Sequence, residues 1–500
     1  MPGNGLTVVE VLHEQARTRG DHPLLICDTE RISYADAERR SALLARALIA
    51  WGAGKGTHVG LLYPNGVAFL VGMLAAARIG AVVVPFSTFA TTHELREQLA
   101  HSDVEILLSA SSYRSHDYTH RLRDVMTERL DVPQLRHVIF DHALTETVDQ
   151  SLFEATESEV VGSDPLAIIY TSGSTSAPKG VVHTHAALLG HQRNLNEIRG
   201  LGPDDKLFCN SPFFWIGGFA FALLATLVAG STLVCSNAVD AGDTLDLLES
   251  ERPTLTNGFT SGVAHLVSHP SFAARDLSSL RQGNLYPIMA PEARPADPEL
   301  RHNMLGSTEA GSVLLLSEDE SDQPEHRRGS FGRPAPGFET KVIDRGPDGI
   351  GELCIRGPYV MQRYYGHSRE ECFDGDGWFH TADLVRVDAD GFYYFVGRRG
   401  AMIKTAGANV APAEVENAIA KVSGRTAYVV GVPDPHRGEL VGAVVVADRD
   451  VDVLALRRTL ECELSSFKVP KRFVVISSAE VPLMTSGKVD IQALARLFDV

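Results

Sequence analysis

Short apolar runs alternate with amphipathic stretches through the first half of the chain. His58 to Tyr63, Ala81 to Pro85 and Val104 to Ser109 read as strands, and the segments ending at Arg78 and spanning Glu94 to His101 read as helices. The pattern resumes with a strand from Leu166 to Tyr170, a helix from His185 to Ile198, and strands from Lys206 to Ser211 and Ser231 to Cys235. Such alternation predicts an α/β fold with two stacked α/β layers, each a parallel sheet covered by helices. From Gly329 to Gly397 the texture changes to strands separated by Gly, Pro and Asp turns, which predicts a small antiparallel β-region. After Arg398-Arg399-Gly400 the alternation returns, with a helix near Pro412 to Val422 and strands at Ala427 to Val432 and Gly442 to Val446. These features divide the chain into a large N-terminal domain over 1–397, a junction at 398–400 and a small C-terminal α/β domain over 401–500.

One apolar stretch requires separate treatment. No charged residue occurs from Phe213 to Cys235, a length that could span a membrane. Gly217, Gly218, Gly230 and Ser231 interrupt it, and no Lys/Arg cluster flanks it, so a buried helix followed by a strand is expected and no membrane span. A chain of 500 residues exceeds what one hydrophobic core organises. The 46 Lys and Arg against 63 Asp and Glu leave a formal charge of -17, which excludes a general binder of nucleic acid. Any phosphate ligand must therefore be met by local charges. The six cysteines form no CxxC pair or dense framework, and the N-terminus has no basic and apolar leader pattern, so a cytoplasmic protein is expected.

The strongest chemical signal is Ile169-Tyr170-Thr171-Ser172-Gly173-Ser174-Thr175-Ser176-Ala177-Pro178-Lys179-Gly180, expected directly after an apolar strand and before a helix. Small hydroxyl residues and glycine let backbone amides and OH groups converge on anionic oxygens, and a lysine adds a point charge. The Walker A spacing Gly-x4-Gly-Lys-Ser/Thr is absent, so kinase and GTPase readings fall.

This loop resembles the phosphate loop of the acyl-adenylate-forming superfamily, which includes acyl-CoA synthetases, peptide-synthetase adenylation domains and firefly-type luciferases. Further motifs similar to those of the family follow in order between Ile32 and Lys488. They are Leu305-Gly306-Ser307-Thr308-Glu309, Gly377-Trp378-Phe379-His380-Thr381-Ala382-Asp383-Leu384, Gly397-Arg398-Arg399-Gly400 and Pro482-Leu483-Met484-Thr485-Ser486-Gly487-Lys488. The resemblance implies roles for each. Thr171, Ser172, Gly173, Ser174, Thr175 and Lys179 would hold the ATP phosphates. Thr308 would touch phosphate, Glu309 would hold Mg²⁺, Asp383 and Arg398 would bind the nucleotide, and Lys488 would align the attacking carboxylate. Gly400 would be the hinge about which the C-terminal domain moves, and Lys404-Thr405-Ala406-Gly407 would line the pantetheine path of CoA.

Several positions depart from the family pattern. Ser176 and Ala382 replace glycines, a small change where φ is negative. Leu305 stands where an aromatic residue usually packs on adenine, Gly400 and Ala401 stand where polar residues are common, and Ala406 replaces a frequent glycine. Ser211-Pro212-Phe213-Phe214-Trp215-Ile216-Gly217-Gly218 resembles the wall of the acyl site, so Trp215, Gly217 and Gly306 are the expected substrate contacts. Trp215 cannot pair an α-ammonium, which an amino-acid substrate would leave buried and unpaired at a cost of several kcal/mol. A hydrophobic acid, whether fatty, aryl or polycyclic, is expected, with ATP, Mg²⁺ and CoA as the other participants. Two alternatives stay open: an adenylate former that hands its acyl group to an acyl carrier protein or separate ligase, and a nucleotide-binding regulator without turnover.

Overall fold

Strands with both faces covered form the centre of the N-terminal domain. The computed structural model describes residues 6–127, 132–141, 147–171, 179–347, 349–398, 402–447, 451–482 and 489–499, leaving aside the side chains of Ser261, Arg398 and Ala479. A seven-stranded sheet runs in the order Arg363–Tyr364, Lys179–Thr184, Pro165–Thr171, Val82–Pro85, His58–Leu62, Ile106–Ser109, His137–Phe140. A six-stranded sheet runs in the order Gln282–Gly283, Leu255–Asn257, Lys206–Cys209, Thr232–Cys235, Pro23–Cys27, Glu30–Ser33. The interior strands are parallel. Val82–Pro85, Ile106–Ser109 and Thr232–Cys235 are buried at every position, as parallel strands covered on both faces require. One core cluster contains residues of both sheets and of the helix Val67–Arg78, in which all but one residue is buried. The two expected layers therefore share one apolar interior.

The sheet edges differ from the expectation. Glu30–Ser33, Lys179–Thr184 and Arg363–Tyr364 pair antiparallel, so each sheet is mixed. The strand Lys179–Thr184, which the sequence pattern does not predict, lies between the Ser/Thr-rich loop and the helix His185–Ile198. Alternation of side chains across a strand explains this: Val182 enters the core between the sheets while Val181 enters a second cluster beneath the β-region.

The stretch from Phe213 to Cys235 is a helix and a strand, as expected. Its helix comprises Ile216–Gly218, a π-helical segment Phe219–Leu224 and Ala225–Ala229, and it ends at Gly230 with φ +71° before the strand Thr232–Cys235. Among the described residues no helix is long and apolar enough to cross a membrane. The β-region consists of the antiparallel sheets Leu305–Ser307, Ser312–Leu316, Arg333–Pro334 and Glu339–Ile343, Gly351–Arg356, Phe379–Val387, Tyr393–Arg398. Beyond it, Ala408–Val410, Ile403–Thr405, Gly438–Val446, Ala427–Asp434 and Arg472–Ile476 form a separate sheet with its own apolar clusters.

Three fully buried histidines tie these parts together. His183 Nε2 lies 2.7 Å from the Thr308 carbonyl and His191 Nε2 lies 2.8 Å from the Val313 carbonyl, so both imidazoles donate to the hairpin that contains Thr308 and Glu309. His185 Nδ1 accepts the Val8 amide at 3.2 Å, anchoring the first helix. Burial pushes each imidazole from 6.5 down to about 4. These groups are neutral in the fold, whereas unfolded histidines bind protons below about pH 6.5. Their contribution is therefore complete above that pH and is lost as the pH falls toward 4. Urea unfolding at pH 7 and pH 5 is expected to show a loss of at least about 2 kcal/mol. His183→Asn, which keeps a donor but cannot titrate, is expected to flatten that dependence; an unchanged slope would contradict the assignment.

Candidate functional site

Thr171 and Lys179 are directly paired across the antiparallel strands Pro165–Thr171 and Lys179–Thr184. The loop they bracket holds Ser172, Gly173, Ser174, Thr175 and Ser176, which lie outside the described residues, as do Gly400, Ala401 and Lys488. The Lys179 ammonium sits 4.9 Å from the centre of the Tyr364 ring, and the Tyr364 hydroxyl donates to Glu309 Oε1 at 2.8 Å. Glu309 is buried, and its carbonyl accepts the Met361 amide at 2.8 Å. Lys179 and Glu309, far apart in sequence, thus meet on opposite parts of one tyrosine. Neither Tyr364 nor His183 carries a motif signal; both act through partners distant in the chain.

Glu309 follows the strand Leu305–Ser307 in the turn that leads to Ser312–Leu316. Gly306 is required there, since a Cβ would lie 2.6 Å from the Ser312 carbonyl oxygen. The turn closes with the Gly311 amide on the Thr308 carbonyl at 2.9 Å.

Asp383 is buried in the strand Phe379–Val387, paired with Arg398 across the ladder. The register with Gly351–Arg356 shifts between Glu352 and Cys354, a bulge of the kind that re-aims side chains near active sites. Ala382 occupies this bulge with φ +60°, so the negative φ under which alanine would be an innocuous replacement does not hold. A residue with a Cβ costs about 1–2 kcal/mol in that region. Its amide is held by Glu352 Oε1 at 3.0 Å, and the Asp383 amide by Thr381 Oγ1 at 3.0 Å. Local hydrogen bonds hold the strained residue next to the expected nucleotide ligand.

A cavity of about 1230 Å³ opens between the two domains. Thr171, Trp215, Gly217, Gly306, Thr308 and Gly407 all line it, whereas Lys179, Glu309 and Asp383 do not. It exceeds the roughly 300–1,000 Å³ of a site for one small ligand, leaving room for more than one reactant. Part of its wall is apolar, with Ile216, Phe221, Met304, Leu305, Val313 and Phe331; Leu305 is itself buried. Ser312 is also on this wall, and its buried hydroxyl has no hydrogen-bond partner among the described residues.

Trp215 is half-buried, with Phe89, Phe214, Phe259 and Phe467 around it at centroid distances of 5.5 to 6.5 Å. It belongs to the cavity wall rather than to a closed core. Phe467 comes from the C-terminal domain, so both domains build this aromatic wall. The same domain contributes the hairpin Ile403–Thr405 to Ala408–Val410, joined by Ala406 and Gly407 at φ +47° and +86°. Two successive positive φ values make a two-residue type I′ turn, in which Ala406 is strained and Gly407 is not. A Cβ on Gly407 would lie 2.4 Å from the Phe259 ring, so its absence allows the turn to rest on the N-terminal domain.

Among the described residues no group of three or more His, Cys, Asp or Glu side chains is gathered as a metal cage. A Mg²⁺ ion at Glu309 would therefore need this one carboxylate together with substrate phosphates, which is the usual way Mg²⁺ is held beside a nucleotide.

Comparison with known proteins agrees with this arrangement. Residues 12–365 match the AMP-binding enzyme family and residues 414–488 match the AMP-binding enzyme C-terminal domain. A feruloyl-CoA synthase from an Amycolatopsis species is 34% identical over 92% of this chain and 92% of its own. An indoleacetate–CoA ligase from Aromatoleum aromaticum is 30% identical over 92% and 91%. Among solved structures, an amide bond synthetase from Marinactinospora thermotolerans superposes with TM-score 0.79 at 25% identity, covering 98% of this chain and 99% of the other. An o-succinylbenzoate CoA synthetase from Bacillus subtilis shares the fold with TM-score 0.77 at 24% identity, covering 98% of each chain. With both domain signatures in order and relatives of 30% identity or more matched over nearly the whole chain, the chain belongs to the AMP-binding enzyme family and is an AMP-forming acid–CoA ligase.

Proposed function

We propose that this ligase activates a hydrophobic aryl acid as its acyl-adenylate and then transfers the acyl group to CoA. The observation that carries this reading is the single cavity in which Thr171 and Thr308 share a wall with Trp215 and the Ala406-Gly407 turn meets Phe259. The aromatic cluster around Trp215 favours a flat ring over a flexible chain, because offset and edge contacts between rings add about 0.5–1.5 kcal/mol beyond area burial. Relatives named for feruloyl and indoleacetate substrates support the same class. No carboxylate stands at position 215 to pair an amino group, which disfavours an amino acid.

In this mechanism the acid's carboxylate oxygen attacks the α-phosphorus of ATP and pyrophosphate leaves; the CoA sulfur then attacks the acyl carbonyl of the mixed anhydride, the acyl–phosphate C–O bond breaks, and AMP and the thiol proton are released. The first step brings two anions together, and the chain's part is to offset that repulsion. Ser172, Gly173, Ser174 and Thr175 would hold the phosphates with Thr171, Thr308 and Lys179, and Asp383 and Arg398 would hold the nucleoside. Mg²⁺ at Glu309 would supply charge neutralisation between phosphate oxygens when bound. Lys488 would align the attacking oxygen. For the second step we assign residues 398–400 as the hinge and the Lys404 to Gly407 run as the thiol path; Lys404 and Gly407 both line the cavity.

Two experiments test this reading. Lys488→Ala is expected to reduce acid-dependent exchange of labelled pyrophosphate into ATP at least a hundredfold while supplied acyl-adenylate is still converted to thioester; equal loss of both reactions would refute the role of Lys488. Across a panel of acids, kcat/KM for CoA consumption is expected to favour aryl acids over straight-chain acids of equal carbon number by at least tenfold. Trp215→Ala is expected to narrow that ratio, and a parent enzyme that prefers the straight chain would overturn the aryl assignment.

A further inference from the structure

The two domains also meet through a nearly dry ionic contact that no step described above uses. Lys468 Nζ lies 2.7 Å from Glu94 Oε1 and 2.8 Å from Glu414 Oε1, and the three side chains retain only 12%, 14% and 14% of their exposure. Glu94 belongs to the helix Thr92–Ser102 of the N-terminal domain, Glu414 to the first turn of the helix Pro412–Ser423 that follows the thiol-path hairpin, and Lys468 to the segment that contributes Phe467. Glu94 carries more than the ion pair. Its Oε2 accepts the Ser465 hydroxyl at 2.6 Å and its Oε1 the Ser465 amide at 3.2 Å, while Oε2 also accepts the Thr91 amide of its own helix cap at 2.8 Å. Burial alone would raise the Glu94 carboxyl, but the adjacent Lys468 holds it below its ordinary value; for Lys468 the two carboxylates outweigh burial and hold the ammonium above its own. The contact is charged on both sides throughout the neutral range.

The position of this contact determines what it can do. Lys468 is fixed to Glu414 inside the C-terminal domain and to Glu94 outside it, so one ammonium ties the helix that follows the Ile403–Val410 hairpin to the N-terminal domain. The adjoining Phe467 packs against Phe89 at 6.1 Å and Trp215 at 6.5 Å. Two neighbouring side chains, Lys468 and Phe467, thus join docking of the domain to completion of the aromatic wall, beside the Thr91 hydroxyl that donates to the Glu463 carbonyl at 3.4 Å and the Lys421 ammonium 3.1 Å from His93 Nε2. A buried ion pair of this kind is a poor source of stability but specifies one geometry, because its charges are costly to leave unpaired.

We propose that Glu94 is a positioning residue for the acyl-transfer step: by holding Lys468 it latches the C-terminal domain in the arrangement where the Ala406-Gly407 turn rests on Phe259 and Phe467 closes the aromatic wall. This rests on the reading of the site as one that forms an adenylate and then a CoA thioester.

Glu94→Gln is a clean probe, since glutamine serves a capping box as glutamate does while the charge is removed; Lys468 keeps Glu414, so each domain retains its own contacts. With spin labels on one exposed residue of each domain, the interdomain distance distribution of the substrate-free protein is expected to broaden in Glu94→Gln. Transfer from supplied acyl-adenylate to CoA is expected to fall at least tenfold, with pyrophosphate exchange within about twofold of the parent. Lys468→Gln and the double variant are expected to lose no more than the larger single effect, as partners in one contact do. An unchanged distance distribution overturns the latch whatever reaction the protein catalyses, because that measurement needs no substrate. A released domain with undiminished transfer, or exchange falling in step with transfer, overturns the positioning role. A parent protein that makes no thioester would instead refute the proposed function, with the distance measurement still deciding the latch.

Discussion

A main-chain carbonyl buried away from water must find a donor, and at Thr308 and Val313 the donors are imidazoles from the strand and helix that follow the phosphate loop. The geometry of the site depends on this constraint. The hairpin with Gly306, Thr308 and Glu309 belongs to the β-region, whereas Thr171 and Lys179 belong to the seven-stranded sheet. His183 and His191 join them through uncharged groups at depths where a cation would be heavily penalised. Tyr364 completes the connection by taking Glu309 on its hydroxyl and Lys179 on its ring. Acid and base are thus kept close without forming a direct ion pair, which would compete with the phosphates and metal proposed to lie between them.

The acyl side follows a different principle. There the wall is made of rings whose edges and faces meet at steep angles, and one of those rings, Phe467, belongs to the C-terminal domain. Gly407 contributes by having no side chain, and Ala406 by tolerating a conformation that alanine seldom adopts. Ala382 makes a similar concession at the nucleotide side. Both strained alanines adjoin residues assigned to the site, in agreement with the tendency of functional regions to hold conformations that elsewhere would be relieved.

The period and length of apolar runs made most of the scaffold legible. His185–Ile198 was read to the residue, and the strands near His58, Ala81, Val104, Lys206 and Ser231 were read to within a few positions. The strand after the phosphate loop was missed because Lys179-Gly180-Val181-Val182 is too short to reveal a period before a helical pattern begins. The negative φ allowed for Ala382 failed because composition carries no information about a bulge, which exists only in relation to the opposing strand. His183 with Thr308, Tyr364 with Glu309 and Lys468 with Glu94 are separated by 125, 55 and 374 residues, so no local pattern could announce them. The family motifs brought Thr171, Thr308, Trp215 and Gly407 to one cavity, while the residues that hold those motifs in place became visible only in three dimensions.

The π-helical segment Phe219–Leu224 has a bearing on how such a pocket changes over time. Its wider turn carries one residue more than α geometry would need, and Phe221 on the cavity wall lies within it. Removing a single residue there would restore the narrower turn and leave the helix Ala225–Ala229 that follows in register. Phe221 thus stands on a segment where a one-residue change in length alters the cavity lining locally and leaves the helix and strand beyond it in place.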